Sequence, residues 1–330
     1  MRVLVTGGGG FVGGATVERL VAQGHEVRSF SRGHYPALEA LGVEHVAGDL
    51  GDAAAVRAAC IDCDAVVHTA AKAGVWGDPA AYRRANLVGT RNVLAACRTE
   101  SVSRLVYTST PSVVHAGGDI EGKRADELPY TRHPQTAYQA TKTRAEQEVL
   151  AANSAELAVV ALRPHLVWGP GDPHLVPRVL ERGKHGRIAL PGGGEKRVDT
   201  VYIDNAADAH VAALDRLTPG ADCAGRAYFV TNDEPRPLRE IILAILSAGG
   251  IDARVVAIPT PLAKAAGALL ESGFRRAQLE REPPLTRFVA EQMSTAHWFD
   301  IEDTKRDLAW TPTVSIDEGM RRLRESLSAG

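Results

Sequence analysis

The stretch RVLVTGGGGFVGGATVERL, residues 2–20, decides how the rest of the chain is read. Residues 2–6 form a short apolar run rich in β-branched side chains, the pattern of a buried strand. Residues 11–23 carry helical spacing, which Gly24 ends. Between them Gly7, Gly10 and Gly13 stand three apart. Glycine accepts positive φ and lets the backbone approach a pyrophosphate, whose charge meets the free N–H groups and dipole of a helix start. A glycine run alone is weak evidence, but strand before and helix after supply the setting of a dinucleotide site. The residues implied are Gly7, Gly10, Phe11, Val12 and Gly13.

Outward from that turn, short apolar runs alternate with helical stretches. Strands are expected at 26–30, 43–46, 65–68, 105–108 and 159–162. Helices are expected at 82–98 and around Tyr138, and Asp52 reads as the N-cap of another that runs to Cys60. Such alternation predicts an α/β fold, a Rossmann-type doubly wound parallel sheet with both faces covered. After Pro164 the loops WGPGDP and LPGGGEK change the texture, and helices follow at 205–217 and 238–248. The expected division is a nucleotide-binding domain over 1–160, with 199–213 crossing back, and a smaller C-terminal α/β substrate lobe over 161–330.

Composition narrows the partners. Among 330 residues, 38 Lys+Arg nearly balance 40 Asp+Glu, so no global field gathers nucleic acid or anionic membrane. MRVLVTGGGG does not read as a signal peptide, and no apolar run reaches transmembrane length. Cys60 and Cys63 form CxxC, but no second pair or flanking histidines complete a zinc site, so no metal is expected. A cytoplasmic, reduced protein is the expectation.

A NAD site normally carries an acid at the end of the second strand to hold the ribose 2′-OH. Here that end reads Phe30-Ser31-Arg32. An arginine can grip a 2′-phosphate, so NADP(H) is favoured, while Ser31 keeps NAD(H) possible. Asp49 is placed to meet the adenine or to form a turn. Leu50, Ala70 and Ala71, just past the third and fourth strands, are counted with the cofactor residues.

Ligands of doubly wound sheets bind beyond the carboxyl ends of the strands. The run 105–108 ends in Ser109-Thr110-Pro111-Ser112, and AYQATKTRAEQ follows at 137–147. Tyr138 and Lys142 are one helical turn apart and share a face. A phenol of pKa about 10 is a poor acid near neutrality, and lowering it by two or three units takes about 3–4 kcal/mol of differential stabilisation.

A glycine turn, a hydroxyl-rich strand end and a downstream YxxxK, in that order, resemble the extended short-chain dehydrogenase/reductase superfamily. The motifs TGGGGFVG, AGDL, NLVGT, YTST, YQATK, LRP, WGPGD and VYIDNAADAH resemble its 3β-hydroxysteroid dehydrogenase-like group along essentially the whole chain. The resemblance implies that Tyr138 protonates the substrate carbonyl as hydride arrives from the nicotinamide. It implies that Lys142 holds the nicotinamide ribose and lowers the phenol pKa, and that Thr110 orients the carbonyl. Asn86 would help hold the site, and Pro164 would lie beside the nicotinamide. The stretches AAKAGVWG, VYTSTPSV, EPPLTRFVAEQ and HWF resemble a bacterial branch that reduces long-chain 2-alkyl-3-oxoalkanoates to 2-alkyl-3-hydroxyalkanoates in olefin biosynthesis. The alternatives are a 3β-hydroxysteroid or sterol dehydrogenase using NAD, a sugar-nucleotide epimerase or dehydratase, and a non-catalytic NADP-binding protein. The intact Tyr138/Lys142 pair argues against the last.

Other residues invite different readings. Serine is commoner than threonine at the Thr110 position, and Ser109 and Ser112 compete for its role. Ser109, His115 and Asp126 suggest a hydrolase triad, but no G-x-S-x-G elbow is present. His68, His165 and His210 read as packed or solvated. Arg178, Arg182, Lys184, His185, Arg187, Lys196 and Arg197 would hold a substrate carboxylate or phosphate, or form a solvated basic face. The amphipathic segment 261–281 would cover an alkyl chain, touch a membrane or a pathway enzyme, or pack on the core. The expected ligand is a small lipid-like keto acid or sterol, and extended members of the superfamily often pair as homodimers.

Overall fold

The computed structural model describes residues 1–279 and 281–329. Its centre is a seven-stranded parallel sheet in which Arg2–Thr6 stands between Glu26–Ser31 and Ala65–His68. Glu44–Ala47 lies outside the second strand, while Arg104–Thr108 and Ala158–Pro164 continue the other side. This is the doubly wound order, with the crevice at the point where the winding reverses.

Period-two alternation places side chains on the two faces. Leu4, Val66, Leu105 and Val159 pack on one side beneath Val56, Val93 and Val149. Val3, Val5, Val67, Val106 and Val160 pack on the other against Ala206, Ala209 and Leu214. The last three belong to the helix Ile203–Arg216, which overlaps the segment 199–213 expected to cross back and runs three residues past it. Arg19 on the first helix ties that helix down through Asp204 (2.7 Å) and Asp208 (2.8 Å).

The seventh strand, Arg226–Val230, was not visible in the sequence pattern; it pairs in parallel with Ala158–Pro164. Its Phe229 stacks on Phe299 with ring centroids 3.8 Å apart. Beyond the sheet, short strands Ile120–Lys123, Arg197–Val198, Arg236–Pro237 and His297–Phe299 form a second, smaller sheet. A third core of Trp168, Ile188, Leu190, Ile241, Ile245 and Leu246 fills this half. The amphipathic stretch 261–281 is helical over Thr260–Arg276, and its Glu280 lies outside the described residues. No helix among the described residues is long and apolar enough to cross a membrane.

One buried ion pair clamps the sheet to the Tyr138 helix, Ala137–Leu150. Arg163 is 2 % exposed and Glu146 fully buried, and they meet at 2.6 Å. Tyr130 donates a further hydrogen bond to Glu146 at 2.8 Å, and Arg163 reaches the Ala125 carbonyl at 3.3 Å. Removing one member of such a pair strands a buried charge, whereas replacing both with apolar residues need not. Arg163→Met should therefore lower unfolding free energy by about 3–5 kcal/mol. The double change Arg163→Met/Glu146→Met should recover most of it, as read from urea midpoints.

Candidate active site

The glycine turn is built by close approach. Gly7 has φ +73°, and a Cβ there would stand 2.9 Å from the Ala70 Cα. A Cβ on Gly13 would lie 2.1 Å from the Gly7 carbonyl oxygen and 2.7 Å from the Thr69 hydroxyl. Gly10 is the N-cap of Phe11–Ala22, and its position carries no side-chain cap. The helix start thus keeps backbone N–H groups for an outside acceptor, which is the donor set a pyrophosphate needs. Tyr35, unmarked in the sequence, lies over the turn: a Cβ on Gly9 would meet its ring at 2.3 Å.

At the end of the second strand the Ser31 hydroxyl is buried without a partner, and Arg32 is exposed beside it. Asp49 accepts from the Gly51 N–H at 2.6 Å and pairs with Arg84 at 3.3 Å, so its carboxylate serves the turn. Leu50 gives its carbonyl to the Asn92 amide at 2.7 Å. Ala70 and Ala71 follow the fourth strand, with Ala70 packed against Gly7.

A directed chain of hydrogen bonds links this turn to Asn86. The Thr90 hydroxyl donates to the Asn86 carbonyl at 2.7 Å, so it must accept from His68 Nε2, 3.0 Å away. His68 Nδ1 then accepts from the Thr6 hydroxyl at 2.6 Å, and Thr6 Oγ1 receives the Ala70 N–H at 3.3 Å. Burial, helped by the charge of Lys142, pushes the His68 pKa down to about 3, in keeping with this neutral tautomer. His68 is a packed residue, as expected. So is His210, whose Nδ1 faces the Ala206 carbonyl at 2.7 Å and whose Nε2 meets the Thr108 hydroxyl at 2.7 Å.

Helix 82–98 is not a plain α-helix. Arg83–Val88 is a π turn, a form frequent at functional sites, and it carries Asn86. The Asn86 amide brackets Lys72, accepting its N–H at 2.7 Å and donating to its carbonyl at 3.1 Å. It also donates to the Thr141 hydroxyl at 3.3 Å, one residue from Lys142.

Thr136 caps the Tyr138 helix by accepting the Gln139 N–H at 3.1 Å. Tyr138, Thr110, Ser112 and Pro164 line one cavity of about 360 Å³. Ala73, Gly74 and Val75 close one wall; Val179, Ile188, Ile241, Ile242, Ile245, Phe288 and Met293 make the rest largely apolar. Burial pushes the Tyr138 phenol up to about 12, with the Thr110 hydroxyl acting the other way. Lys142 lies beneath, 2 % exposed, its ammonium donating to the Thr108 carbonyl at 2.6 Å and sitting 4.1 Å from the centre of the Tyr107 ring. Burial pushes its pKa down to about 7, partly offset by Glu146. Lys142 is not among the groups that shift the phenol in this arrangement. The ammonium is committed to a carbonyl and a ring face, and desolvation dominates the phenol.

The other candidates separate. Asp126 pairs with Arg124 at the surface at 3.4 Å, and the buried Ser109 hydroxyl has no partner, so no hydrolase triad forms with His115. Of the basic cluster, Arg178 and Arg182 line the cavity, whereas Lys184, Lys196 and Arg197 are spent on Glu181, Asp119 and the Pro235 carbonyl. All four cysteines are free and buried, and no metal-ligand cluster occurs among the described residues. Glu146 was missed in the sequence, although it stands four residues beyond Lys142 on the same helix face.

Residues 4–260 match the model of the 3-beta hydroxysteroid dehydrogenase/isomerase family. The chain belongs to that family. It is 53% identical over 330 residues to a 2-alkyl-3-oxoalkanoate reductase of Stenotrophomonas maltophilia, covering 100% of both chains. It is 31% identical over 330 residues to the human sterol-4-alpha-carboxylate 3-dehydrogenase, decarboxylating, covering 98% of this chain and 88% of that one. Among solved structures, the Thermus thermophilus UDP-glucose 4-epimerase in complex with NAD superposes with a TM-score of 0.75 at 29% identity, covering 100% of each chain. The family member described here is an NAD(P)-dependent oxidoreductase with the extended short-chain dehydrogenase/reductase fold.

The glycine turn fits a dinucleotide because the close approach of Gly13 to the Gly7 carbonyl seats the first helix with its uncapped N-terminus at the crevice. Gly13→Val should weaken NADPH and NADH binding at least a hundredfold, measured by quenching of tryptophan fluorescence. The same change should lower the thermal midpoint, because the first helix must move off the Gly7 carbonyl.

Proposed function

We propose that this protein is an NADPH-dependent reductase that converts a long-chain 2-alkyl-3-oxoalkanoate to the 2-alkyl-3-hydroxyalkanoate, a step toward olefins. The observation that carries the reading is the cavity: a phenol and a hydroxyl at one end of a mostly apolar space, whose polar lining is confined to a few groups, His115, His165, His297, Arg178 and Arg182 among them. An apolar lining suits alkyl chains and leaves the many hydroxyls of a nucleotide sugar without partners. The relatives' names point the same way. One acts on a 3-oxo acid substituted at the adjacent carbon, the other on a 3-hydroxysterol with a carboxylate at carbon 4. Both place a carboxylate one carbon from the reacting centre.

In this reading Tyr138 hydrogen-bonds the ketone oxygen and delivers its proton there as the carbonyl is reduced. A phenol held protonated by burial is suited to that direction. Thr110 steadies the same oxygen from the strand end. Lys142 offers its ammonium to the nicotinamide ribose from its seat on Thr108, and Asn86 fixes the Lys72 loop and the Thr141 hydroxyl on the Tyr138 helix. Gly7, Gly10, Phe11, Val12 and Gly13 hold the pyrophosphate, and Leu50, Ala70, Ala71 and Pro164 flank the rest of the dinucleotide. When bound, the nicotinamide supplies the hydride.

The preference for NADPH rests on Ser31 and Arg32. An orphaned hydroxyl and an exposed guanidinium at the second strand end form a receptor for a 2′-phosphate. Asp49, the acid nearest in sequence, is already held by Gly51 and Arg84.

Tyr138→Phe should cut kcat on a 2-alkyl-3-keto acid by about a thousandfold or more while NADPH still binds. Arg32→Ala should raise the KM for NADPH at least tenfold and leave that for NADH within twofold. Equal losses for the two cofactors would remove the case for a phosphate receptor.

A further inference from the structure

We propose that His165, with His297 and His115 behind it, is the site that takes the substrate carboxylate, together with one proton. The inference rests on the keto-acid reading and names the group that distinguishes such an acid from a plain ketone.

All three histidines line the cavity, and all are buried, at 7, 5 and 3 % exposure. Their hydrogen bonds are incomplete. His165 Nδ1 is held by the Asp199 carbonyl at 2.6 Å, so Nδ1 carries the proton and Nε2 is the nitrogen left over. His297 Nε2 is likewise held by the Gln292 carbonyl at 2.8 Å, and its Nδ1 is buried with no partner. His115 Nε2 is also buried and unpartnered, 3.8 Å from Glu291 Oε1. Nitrogen lone pairs left unpaired in an apolar wall are costly, and a ligand that brings a proton satisfies the one on His165.

Place in the fold makes a carboxylate that ligand. Thr108 pairs with Leu162 in the sheet, and both chains run on in the same direction to Thr110 and Pro164 at the cavity. His165 is the next residue. In a 2-alkyl-3-oxo acid the carboxyl carbon and the ketone carbon are bonded to one common carbon. A ketone on Tyr138 and Thr110 therefore sets the carboxylate within reach of the neighbouring strand end. The rings of His165 and His297 stand 4.8 Å apart, edge to face, so a charge taken up on His165 is felt by His297.

The surroundings hold that proton off until a negative charge arrives. Burial lowers the pKa of His165 well below the usual value and that of His297 to about 4. The charged groups that face the cluster are Glu291 and Lys264, which pair at 3.4 Å beside His115, and Asp119, near His297. Asp199 lies behind His165 with one carboxylate oxygen taking the Phe299 N–H at 2.8 Å; burial pushes its pKa up to about 7. Each of the two cavity arginines has one N–H engaged, Arg178 with Glu282 at 3.1 Å and Arg182 with the Pro284 carbonyl at 2.5 Å, and they are the competing carboxylate ligands.

The test runs the reaction backwards, because a 3-keto acid loses carbon dioxide on standing whereas the 3-hydroxy acid is stable. A long-chain 2-alkyl-3-hydroxyalkanoate and its methyl ester are oxidised with NADP+, and the ratio of their kcat/KM values is followed from pH 6 to 8.5. That ratio is independent of the active fraction of each preparation. The wild type should favour the acid at least tenfold at pH 6, and the advantage should shrink as pH rises, by up to about tenfold per unit. His165→Gln should abolish most of the preference and its pH dependence, and His297→Gln should reduce both. Equal rates for acid and ester in the wild type overturn the inference alone. So does a preference lost in Arg178→Ala or Arg182→Ala but kept in His165→Gln. Oxidation of a 3β-hydroxysteroid with neither compound turned over would overturn the keto-acid reading and this site with it.

Discussion

Much of the molecule depends on a hydrogen atom standing where other residues carry a carbon. Gly13 lets the first helix settle against the Gly7 carbonyl, a distance at which a methyl group would overlap it. That contact sets the height of the helix start above the sheet, which in turn aims its free N–H groups over the crevice. Gly7 is pressed by Ala70, so the first and fourth strand ends are locked together. From Ala70 the hydrogen-bond chain through Thr6, His68 and Thr90 reaches Asn86, and Asn86 reaches Thr141 next to Lys142. One steric allowance thus propagates to the opposite end of the site without passing through solvent.

The parts legible in the sequence were those with strong local grammar. The first strand, the glycine turn, the Asp52 cap and the Tyr138/Lys142 spacing all follow from periodicity and short-range chemistry, and each appears in place. The parts that escaped depend on distant partners. Arg226–Val230 resembles many five-residue apolar runs, and only the open edge of Ala158–Pro164 makes it a sheet strand. The π turn at Arg83–Val88 has no compositional mark; it carries Asn86, which bonds to both Lys72 and Thr141. His297 lies far along the chain from His165, and the two meet because a short strand of the second sheet ends at the cavity.

Electrostatics beneath the pocket follow one theme. Lys142, Glu146 and Arg163 are all buried, yet only the last two form a close pair. The lysine is left with a carbonyl and an aromatic face, partners that tolerate an ammonium without fully replacing water. A cation whose partners carry no full negative charge gains more from an incoming ligand than one already neutralised. The carboxylate of Glu146 is divided between a guanidinium and a phenol, which stiffens the helix below Tyr138 without drawing charge toward the cavity.

The return of residues 226–230 to the outer edge of the main sheet bears on how the chain is made. During synthesis the strands through Ala158–Pro164 emerge first, but the last edge of their sheet stays open until residue 230 has left the ribosome. An unpaired strand edge invites mispairing with other nascent chains. Expression of the N-terminal half alone would leave that edge bare for good, so the two halves, however distinct in chemistry, are born as one cooperative folding problem.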